Sequence, residues 1–237
     1  MLKVVAFLYS NGKKLPLPPT ENKPTMLKTK IKASAITNLT DARYFAAWDI
    51  EWMGFSLDPG SDHFVDPNTV HAIKEWVEGP QITGEFNLQS AADIQSLVEN
   101  LNLDAIQVGP FTPLETLMEL DTQVPVIKEI VFEAATQASD VETILEAHAA
   151  QCAYFLFNFD SNGLGLHNLP VAVSWLTEMC ADYPILLSMA DLNEQLDTIL
   201  DDLQPAGLSV RGGEEEKVGY KSFDELDDLF EALETFE

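Results

Sequence analysis

The sequence is poor in cysteine and in basic side chains, and it has no long hydrophobic run. Its 237 residues include two cysteines, Cys152 and Cys180, which form neither a CxxC pair nor any other metal-ligand spacing. That usage predicts a reducing, cytoplasmic setting, and nothing in the pattern indicates a metal or a cofactor. The N-terminal apolar run VVAFLY is too short for a signal peptide or a membrane span, so we expect a soluble protein.

Positive charge is scarce as well. The chain has 39 acidic and 13 basic residues, which gives a formal net charge of −26. Such a surface repels nucleic-acid phosphates and anionic lipid headgroups, which argues against nucleic-acid and membrane partners. A small anionic ligand stays compatible with the charge, because a few backbone amides and one or two cations can form a local positive site. Nothing in the composition points to a protein partner.

The stretch Ile31 to Arg43, IKASAITNLTDAR, joins the end of a strand, a polar turn and the start of a helix. Thr40 is the predicted N-cap, and Asp41 lies in the first turn, where a carboxylate favours a helix. From Lys28 onward, short apolar runs alternate with helical patterns eight times. The predicted strands are Ile31 to Ala35, Trp52 to Ser56, Gln81 to Glu85, Ala105 to Val108, Val126 to Val131, Tyr154 to Phe159, Ile185 to Ser188 and Gly207 to Val210. The predicted helix caps are Thr40, Asp66, Ser90, Thr112, Ser139, Asn168, Asp191 and Ser222.

Eight strand–helix units in roughly 210 residues predict a closed (β/α)8 TIM barrel near the lower size limit of that fold. An open, flavodoxin-like sheet is the alternative. Residues 1–25 are predicted to be an N-terminal extension, because NGKKLPLPPTENKP contains Asn11-Gly12 and four prolines, which prevent regular packing. The barrel domain is predicted to span residues 26–237.

In such a barrel the functional side chains follow the carboxyl ends of the strands. Gly212 and Gly213 follow the eighth strand, where their amides could form an anion-binding turn to which Arg211 adds charge. The adjacent glutamates, Glu214 to Glu216, oppose an anion there. The candidates at all eight strand ends are Ser34, Asp58 to His63, Glu85, Gly109, Glu133, Asn158 with Asp160, Ser188 with Asp191, and Arg211 to Glu215.

The motifs of the first, second and fourth units, in order and spacing, resemble the phosphoribosylanthranilate isomerase family, and the likeness covers nearly all of residues 28–235. The family's KICGIT strand and turn is matched by KASAIT from Lys32, followed by Asp41 and Ala42. Its GF and SPRYV are matched by Gly54-Phe55 and by SDHFV, and its DxxQLHG by DAIQVG from Asp104.

The last two units extend the resemblance. The family's LAGGLN is matched by LSMADLN from Leu187, and DVSSGVE ahead of GxKD by SVRGGEE and GYKS. The resemblance implies a (β/α)8 isomerase of the aldose–ketose type, which performs an Amadori rearrangement in tryptophan biosynthesis.

The positions that carry the family's chemistry are changed. The resemblance puts Ser34 where the family has a cysteine base, and Asn158 where it has an aspartic acid that protonates the ribose ring oxygen. Serine is a much poorer base than a thiolate, and an amide cannot donate the proton. Each loss costs at least ~10²-fold in rate. The resemblance therefore implies an isomerase-like protein with lost or altered activity.

The resemblance also implies substrate-binding positions and a small phosphorylated sugar as ligand. Two alternatives stay open at this stage: an active isomerase with Ser34 or Glu85 as base and Asp160 as acid, or a barrel that acts on another sugar phosphate. In the phosphate-binding turn after the seventh strand, Met189 and Ala190 replace glycines, and the neighbouring Asp191 would repel phosphate. The implied substrate-binding residues are His63, in place of an arginine that holds the anthranilate carboxylate, and Gln107, Ser188, Arg211, Gly212 and Gly213.

Overall fold

A computed structural model describes residues 9–10, 13–14, 27–212, 215–217 and 220–235. Eight parallel strands form a closed barrel in which each strand pairs with the next and the eighth pairs with the first. The closure confirms the predicted (β/α)8 fold and excludes the open sheet. The strands are β1 (Lys30–Ser34), β2 (Trp52–Ser56), β3 (Gln81–Phe86), β4 (Ala105–Val108), β5 (Val126–Val131), β6 (Tyr154–Asn158), β7 (Ile185–Ser188) and β8 (Gly207–Arg211).

Helices connect the strands on the outside of the barrel. No helix in the described ranges is long and apolar enough to cross a membrane. Antiparallel pairs of short strands join Tyr9–Ser10 to Lys13–Lys14 and Glu215–Lys217 to Tyr220–Lys221. The helices are α1 (Leu39–Ala47), α2 (Pro67–Lys74), α3 (Ala91–Leu101), α4 (Leu114–Glu119), α5 (Ala138–His148), α6 (Val173–Asp182), α7 (Leu196–Thr198, continued by a π-helical turn, Ile199–Leu203) and α8 (Asp224–Leu233).

Two of the eight predicted helix caps are confirmed. Asp66 accepts a hydrogen bond from the Asn68 amide at 2.9 Å, and Ser90 accepts one from the Asp93 amide at 3.2 Å. The other six are wrong by one to four positions, because those polar residues lie inside a helix or in the turn before it. For α1, Asn38 is the N-cap and accepts from the Asp41 amide. The wrong caps are Thr40, Thr112, Ser139, Asn168, Asp191 and Ser222.

The predicted boundary between the N-terminal extension and the barrel domain stays a prediction, because residues 15–26 lie outside the described ranges. The first described residues of the barrel are tied to its C-terminus. Leu27 pairs with Glu234 in an isolated antiparallel bridge, and the Lys28 amide donates to the Leu233 carbonyl at 2.8 Å.

Alternate residues of each strand face the barrel interior, because side chains alternate with a period of two along a strand. The lower interior is apolar, and its residues Trp52, Ala105, Ile127, Leu156 and Leu186 form a buried cluster. A much larger apolar core lies between the strands and the helices. Towards the carboxyl ends of the strands the interior becomes polar, and a water-accessible site lies at that end.

Candidate functional site

A cavity of about 260 Å³ lies at the carboxyl ends of the strands. Its lower wall consists of polar side chains from all eight strands, and its upper wall comes from the loops after β2, β3 and β4 together with Arg211. The strand side chains that line it are Ser34, Ser56, Glu85, Gln107, Glu129, Asn158, Ser188 and Ser209.

A buried lysine organises one side of the cavity. The Lys32 side chain is fully buried, and its ammonium donates to Glu85 Oε1 at 2.5 Å and to Ser34 Oγ at 2.8 Å. Glu85 Oε2 accepts from the Ala35 amide at 3.1 Å, and Ser34 Oγ lies 3.0 Å from Ser209 Oγ. The Ser34 hydroxyl therefore faces a cationic donor and another hydroxyl, and both oxygens of Glu85 are occupied.

On the opposite side, a carboxylate holds two amide side chains. Asn158 Nδ2 donates to Glu129 Oε1 at 2.6 Å, and Gln107 Nε2 donates to Glu129 Oε2 at 3.2 Å. Asn158 Oδ1 accepts from the Ser161 amide at 3.0 Å. Both ends of the Asn158 amide are thus used in holding the strand end and the following turn.

Sequence reasoning about strand ends missed Glu129, which lies inside β5 rather than after it. The period-two alternation was the available signal, because it puts Glu129 on the same face as Ile127 of the interior cluster. Glu133, the candidate taken from this unit, is exposed in the loop after the strand and does not line the cavity.

Loops form the mouth of the cavity. Asp58 is buried and accepts from the amides of Gly60, Asn87 and Leu88 at 3.1, 3.2 and 2.8 Å, which ties the loop after β2 to the loop after β3. The exposed His63 also lines the mouth of the cavity, in the same loop as Asp58. Arg211 is exposed on the other side and donates to Ser161 Oγ at 2.7 Å.

Asp191, in the loop after β7, binds the loop after β6. Its carboxylate accepts from the Leu166 amide at 3.0 Å and from His167 Nδ1 at 2.7 Å, with the His167 amide at 3.4 Å. Burial alone would raise the pKa of Asp191, but these hydrogen bonds outweigh burial and hold the pKa below its usual value. A Cβ atom at Gly165 would lie 2.1 Å from Asp191 Oδ1, so the glycine leaves the space that the carboxylate fills.

The structure brings most of the predicted site residues together. Asp160 lies in the 3₁₀ turn Asp160–Asn162 and does not line the cavity, and neither does Gly212. Gly213 lies outside the described residues. Among the described residues, no group of three or more His, Cys, Asp or Glu side chains is arranged to hold a metal ion. The predicted residues that line the cavity are Ser34, His63, Gln107, Asn158, Ser188 and Arg211.

Comparison with known proteins decides the family. The family model described as N-(5'phosphoribosyl)anthranilate (PRA) isomerase matches residues 31–232. The chain belongs to the phosphoribosylanthranilate isomerase family. No curated protein sequence matches the chain significantly.

Solved structures of the family share the fold. The isomerase from Thermus thermophilus is 25% identical, with a TM-score of 0.69, over 86% of this chain and 98% of that one. The isomerase from Thermotoga maritima is 19% identical, with a TM-score of 0.67, over 86% of this chain and 97% of that one. The enzyme from Pyrococcus furiosus has the same coverage and TM-score at 14% identity. At identities of 19% and 14%, the Thermotoga maritima and Pyrococcus furiosus structures support a shared fold and nothing further.

The resemblance aligns Ala35, Met189 and Ala190 with glycines of the family's motifs, and the structure shows the environment of the first two. Ala35, at the glycine of KICGIT, keeps a left-handed backbone with φ of 54°, and its amide reaches Glu85 from that conformation. Met189, at the first glycine of LAGGLN, is buried in the apolar core. The family's motif has glycines in the turn after β7. In this chain the same turn contains the buried Met189 side chain, followed by the Asp191 carboxylate.

We expect Gly165→Ala to lower the free energy of unfolding by about 1–3 kcal/mol, because the added methyl group overlaps the Asp191 carboxylate and must displace it from its donors. Urea denaturation measures the change. Gly60→Ala is the matched control, since the nearest atom to an added Cβ there lies 3.6 Å away, and it should cost less than about 0.5 kcal/mol. Equal costs at the two positions would contradict the close fit around Asp191.

We expect the Asp191 carboxylate to contribute to the free energy of unfolding, and this contribution should decrease at low pH. Because its folded pKa is depressed, the contribution is fully present above the unfolded pKa of about 3.9 and is lost as the pH falls through the lower folded value. The difference in unfolding free energy between wild type and Asp191→Asn should therefore be smaller at pH 3.5 than at pH 5. Urea denaturation at both pH values tests this, and a difference that grows on acidification would contradict it.

Proposed function

We propose that this member of the phosphoribosylanthranilate isomerase family keeps the cavity at the barrel rim but does not catalyse the Amadori rearrangement of N-(5'-phosphoribosyl)anthranilate. One observation carries the proposal. The two positions that would handle protons are occupied by Ser34, which accepts from the Lys32 ammonium, and Asn158, which is held between Glu129 and the Ser161 amide.

The rearrangement needs a base that takes a proton from the carbon next to the reacting one. A serine hydroxyl acts as a base only when a neighbour removes its own proton. The neighbours of Ser34 Oγ are a lysine ammonium at 2.8 Å and a serine hydroxyl at 3.0 Å, and neither is such an acceptor. Glu85 is paired with the same ammonium, so its use as the base would require breaking a buried ion pair.

The rearrangement also needs an acid that protonates the ring oxygen as the ring opens. The Asn158 amide cannot give up a proton, and its nitrogen already donates to Glu129 at 2.6 Å. The alternative acid, Asp160, does not line the cavity. These placements support loss of the rearrangement over an active isomerase that uses Ser34 or Glu85 with Asp160.

The phosphate end of a family substrate would also find altered surroundings. Met189 fills space where the family's motif has glycine, and Asp191 adds a negative charge two residues later. A phosphorylated sugar is the ligand class that the family implies, and these changes weigh against tight binding of one. Cys152 and Cys180 form no disulfide, which fits a reducing, cytoplasmic location.

A direct assay tests the proposal. With purified protein and N-(5'-phosphoribosyl)anthranilate, followed by fluorescence, we expect kcat/KM at least ~10²-fold below that of a family member with both proton-handling groups, since general acid–base catalysis contributes at least ~10²-fold. Expression in a tryptophan auxotroph that lacks the isomerase should not restore growth. Growth, or kcat/KM within tenfold of the active enzyme, would refute the proposal and favour the active isomerase.

A further inference from the structure

Serine hydroxyls line one side of the cavity. They come from β7, β8, β1 and β2, which pair in that order around the barrel, so the hydroxyls form a contiguous arc. Side chains alternate between the two faces of a strand, and Ser56 and Ser188 share the inward face with Trp52 and Leu186 of the interior cluster. The serine arc consists of Ser188, Ser209, Ser34 and Ser56.

Two hydroxyls of the serine arc have no partner within the protein. Ser56 and Ser188 are 7% and 5% exposed, and neither hydroxyl forms a hydrogen bond with another described residue. Neither oxygen belongs to the fully enclosed polar atoms of the described chain that lack a partner, so both oxygens are accessible from the cavity. Buried polar groups are normally hydrogen-bonded. The partners of these two hydroxyls must therefore come from the molecules that fill the cavity.

The other two hydroxyls of the serine arc keep part of their hydrogen-bonding capacity. Ser34 Oγ and Ser209 Oγ lie 3.0 Å apart, so one of the two hydroxyls donates to the other. Whichever hydroxyl donates, the hydrogen of the other stays unused, because the Lys32 ammonium beside Ser34 is itself a donor. Together with Ser56 and Ser188, the serine arc offers three hydroxyl hydrogens, and their oxygens also accept.

The charged groups of the cavity favour an uncharged ligand. Three carboxylates line the cavity, and both oxygens of each already accept hydrogen bonds within the protein. The donors are Lys32 and the Ala35 amide for Glu85, Gln107 and Asn158 for Glu129, and three loop amides for Asp58. Of the described residues that line the cavity, only Arg211 carries a permanent positive charge, and it is exposed at the mouth. A phosphate group would enter a site where carboxylates outnumber cations, whereas an uncharged ligand meets no such repulsion.

We propose that the cavity binds an uncharged polyhydroxyl compound of monosaccharide size, held by hydrogen bonds to the serine arc. A ligand hydroxyl both donates and accepts, which matches serine hydroxyls that can do either. The cavity volume of about 260 Å³ lies just below the range of about 300–1,000 Å³ for pockets that take drug-sized ligands, so a single sugar unit suits it. The apolar CH groups of a sugar ring can pack on Leu156 and Phe86, which line the same cavity.

The test compares each of two sugars with an anionic and an apolar analogue. Isothermal titration calorimetry on the full chain would use D-ribose with D-ribose 5-phosphate and cyclopentanol, and D-glucose with D-glucose 6-phosphate and cyclohexanol. We expect saturable binding of at least one sugar with a Kd of about 1 mM or lower, and at least about tenfold weaker binding of its phosphate and of its ring alcohol. Binding of neither sugar, or binding of either analogue as tightly as its sugar, would overturn the proposal.

Substitutions locate the ligand on the serine arc. The Ser56→Ala, Ser188→Ala double variant should bind the sugar at least about fivefold more weakly, because two hydrogen bonds to the ligand are lost. Ser174→Ala removes an exposed hydroxyl of α6, outside the cavity, and should leave the affinity unchanged. Unchanged affinity in the double variant would overturn the assignment. Circular dichroism checks that the double variant is folded, and if it is not, the comparison of sugars with their analogues on the wild-type chain decides alone.

The inference rests on the proposed function, since a preference for uncharged ligands presupposes a site that does not turn over N-(5'-phosphoribosyl)anthranilate. The two can fail separately. Isomerase turnover would refute the proposed function, whereas equal or tighter binding of a phosphorylated sugar by a protein without turnover would refute the uncharged ligand alone.

Discussion

The Ser34→Cys, Asn158→Asp double variant is expected to gain isomerase activity, with kcat/KM at least ~10²-fold above the wild-type background. The surroundings still suit both groups. The introduced thiol would lie beside the Lys32 ammonium, which lowers the pKa of a thiol and favours the thiolate base. The introduced carboxyl would lie beside Glu129, and of two carboxyls in such close contact one keeps its proton, as the acid requires.

The kcat/KM of the double variant should stay well below that of a fully active family member. Met189 and Asp191 still occupy the turn where the phosphate group of the substrate would bind. Each single substitution should give much less than the double variant, since acid and base act as a unit. Ser188→Cys combined with Asn158→Asp is the matched control: it puts the thiol in the same cavity, where no bonded lysine is present among the described contacts of Ser188. An equal gain in that control, or no gain in a folded double variant, would contradict the assignment of the two positions.

Lys32→Met is expected to lower the free energy of unfolding by about 3–5 kcal/mol. Methionine fills similar space, but it leaves the Glu85 carboxylate, whose side chain is 12% exposed, without its cation. It also removes a donor from Ser34. Denaturation by urea at neutral pH measures the loss, and circular dichroism before denaturation establishes that the variant is folded.

Two further variants separate the ion pair from simple truncation. Lys32→Met combined with Glu85→Gln should recover most of the loss, because the unpaired buried charge is then gone. Lys30→Met removes the other lysine of β1, whose side chain is 45% exposed and lies 3.8 Å from Glu51, and should cost less than about 1 kcal/mol. A double variant as unstable as Lys32→Met would show that the pair itself is not the cause.

The strands were predictable because each is an apolar run between polar turns, and every predicted strand agrees with the structure within one residue at either end. Helix starts were less predictable. Asp191 and Asn168 have the chemistry of caps, but Asp191 binds the neighbouring loop and Asn168 accepts from the Gly165 amide in a 3₁₀ turn. A capping side chain can satisfy any nearby amide, so its presence alone does not fix where a helix begins.

The sequence predicted which residues lie near the candidate site, but not the ion pair and hydrogen bonds that connect them. The reasoning from strand ends suggested Ser34 and Asn158, and both line the cavity, because barrel geometry brings all such ends to one face. The Lys32–Glu85 pair joins residues that are 53 positions apart, and Glu129 reaches Asn158 from the preceding strand. Such contacts depend on strand stagger and on closure of the barrel, which a linear pattern of residues does not specify.

The most direct test of the account is the initial rate of isomerisation of N-(5'-phosphoribosyl)anthranilate by the purified wild-type protein, measured side by side with Ser34→Ala. We predict that both proteins give the same rate and that neither exceeds the rate without protein. Turnover by the wild type that disappears in Ser34→Ala would contradict the account, because it would show that Ser34 still works as part of an active catalytic pair.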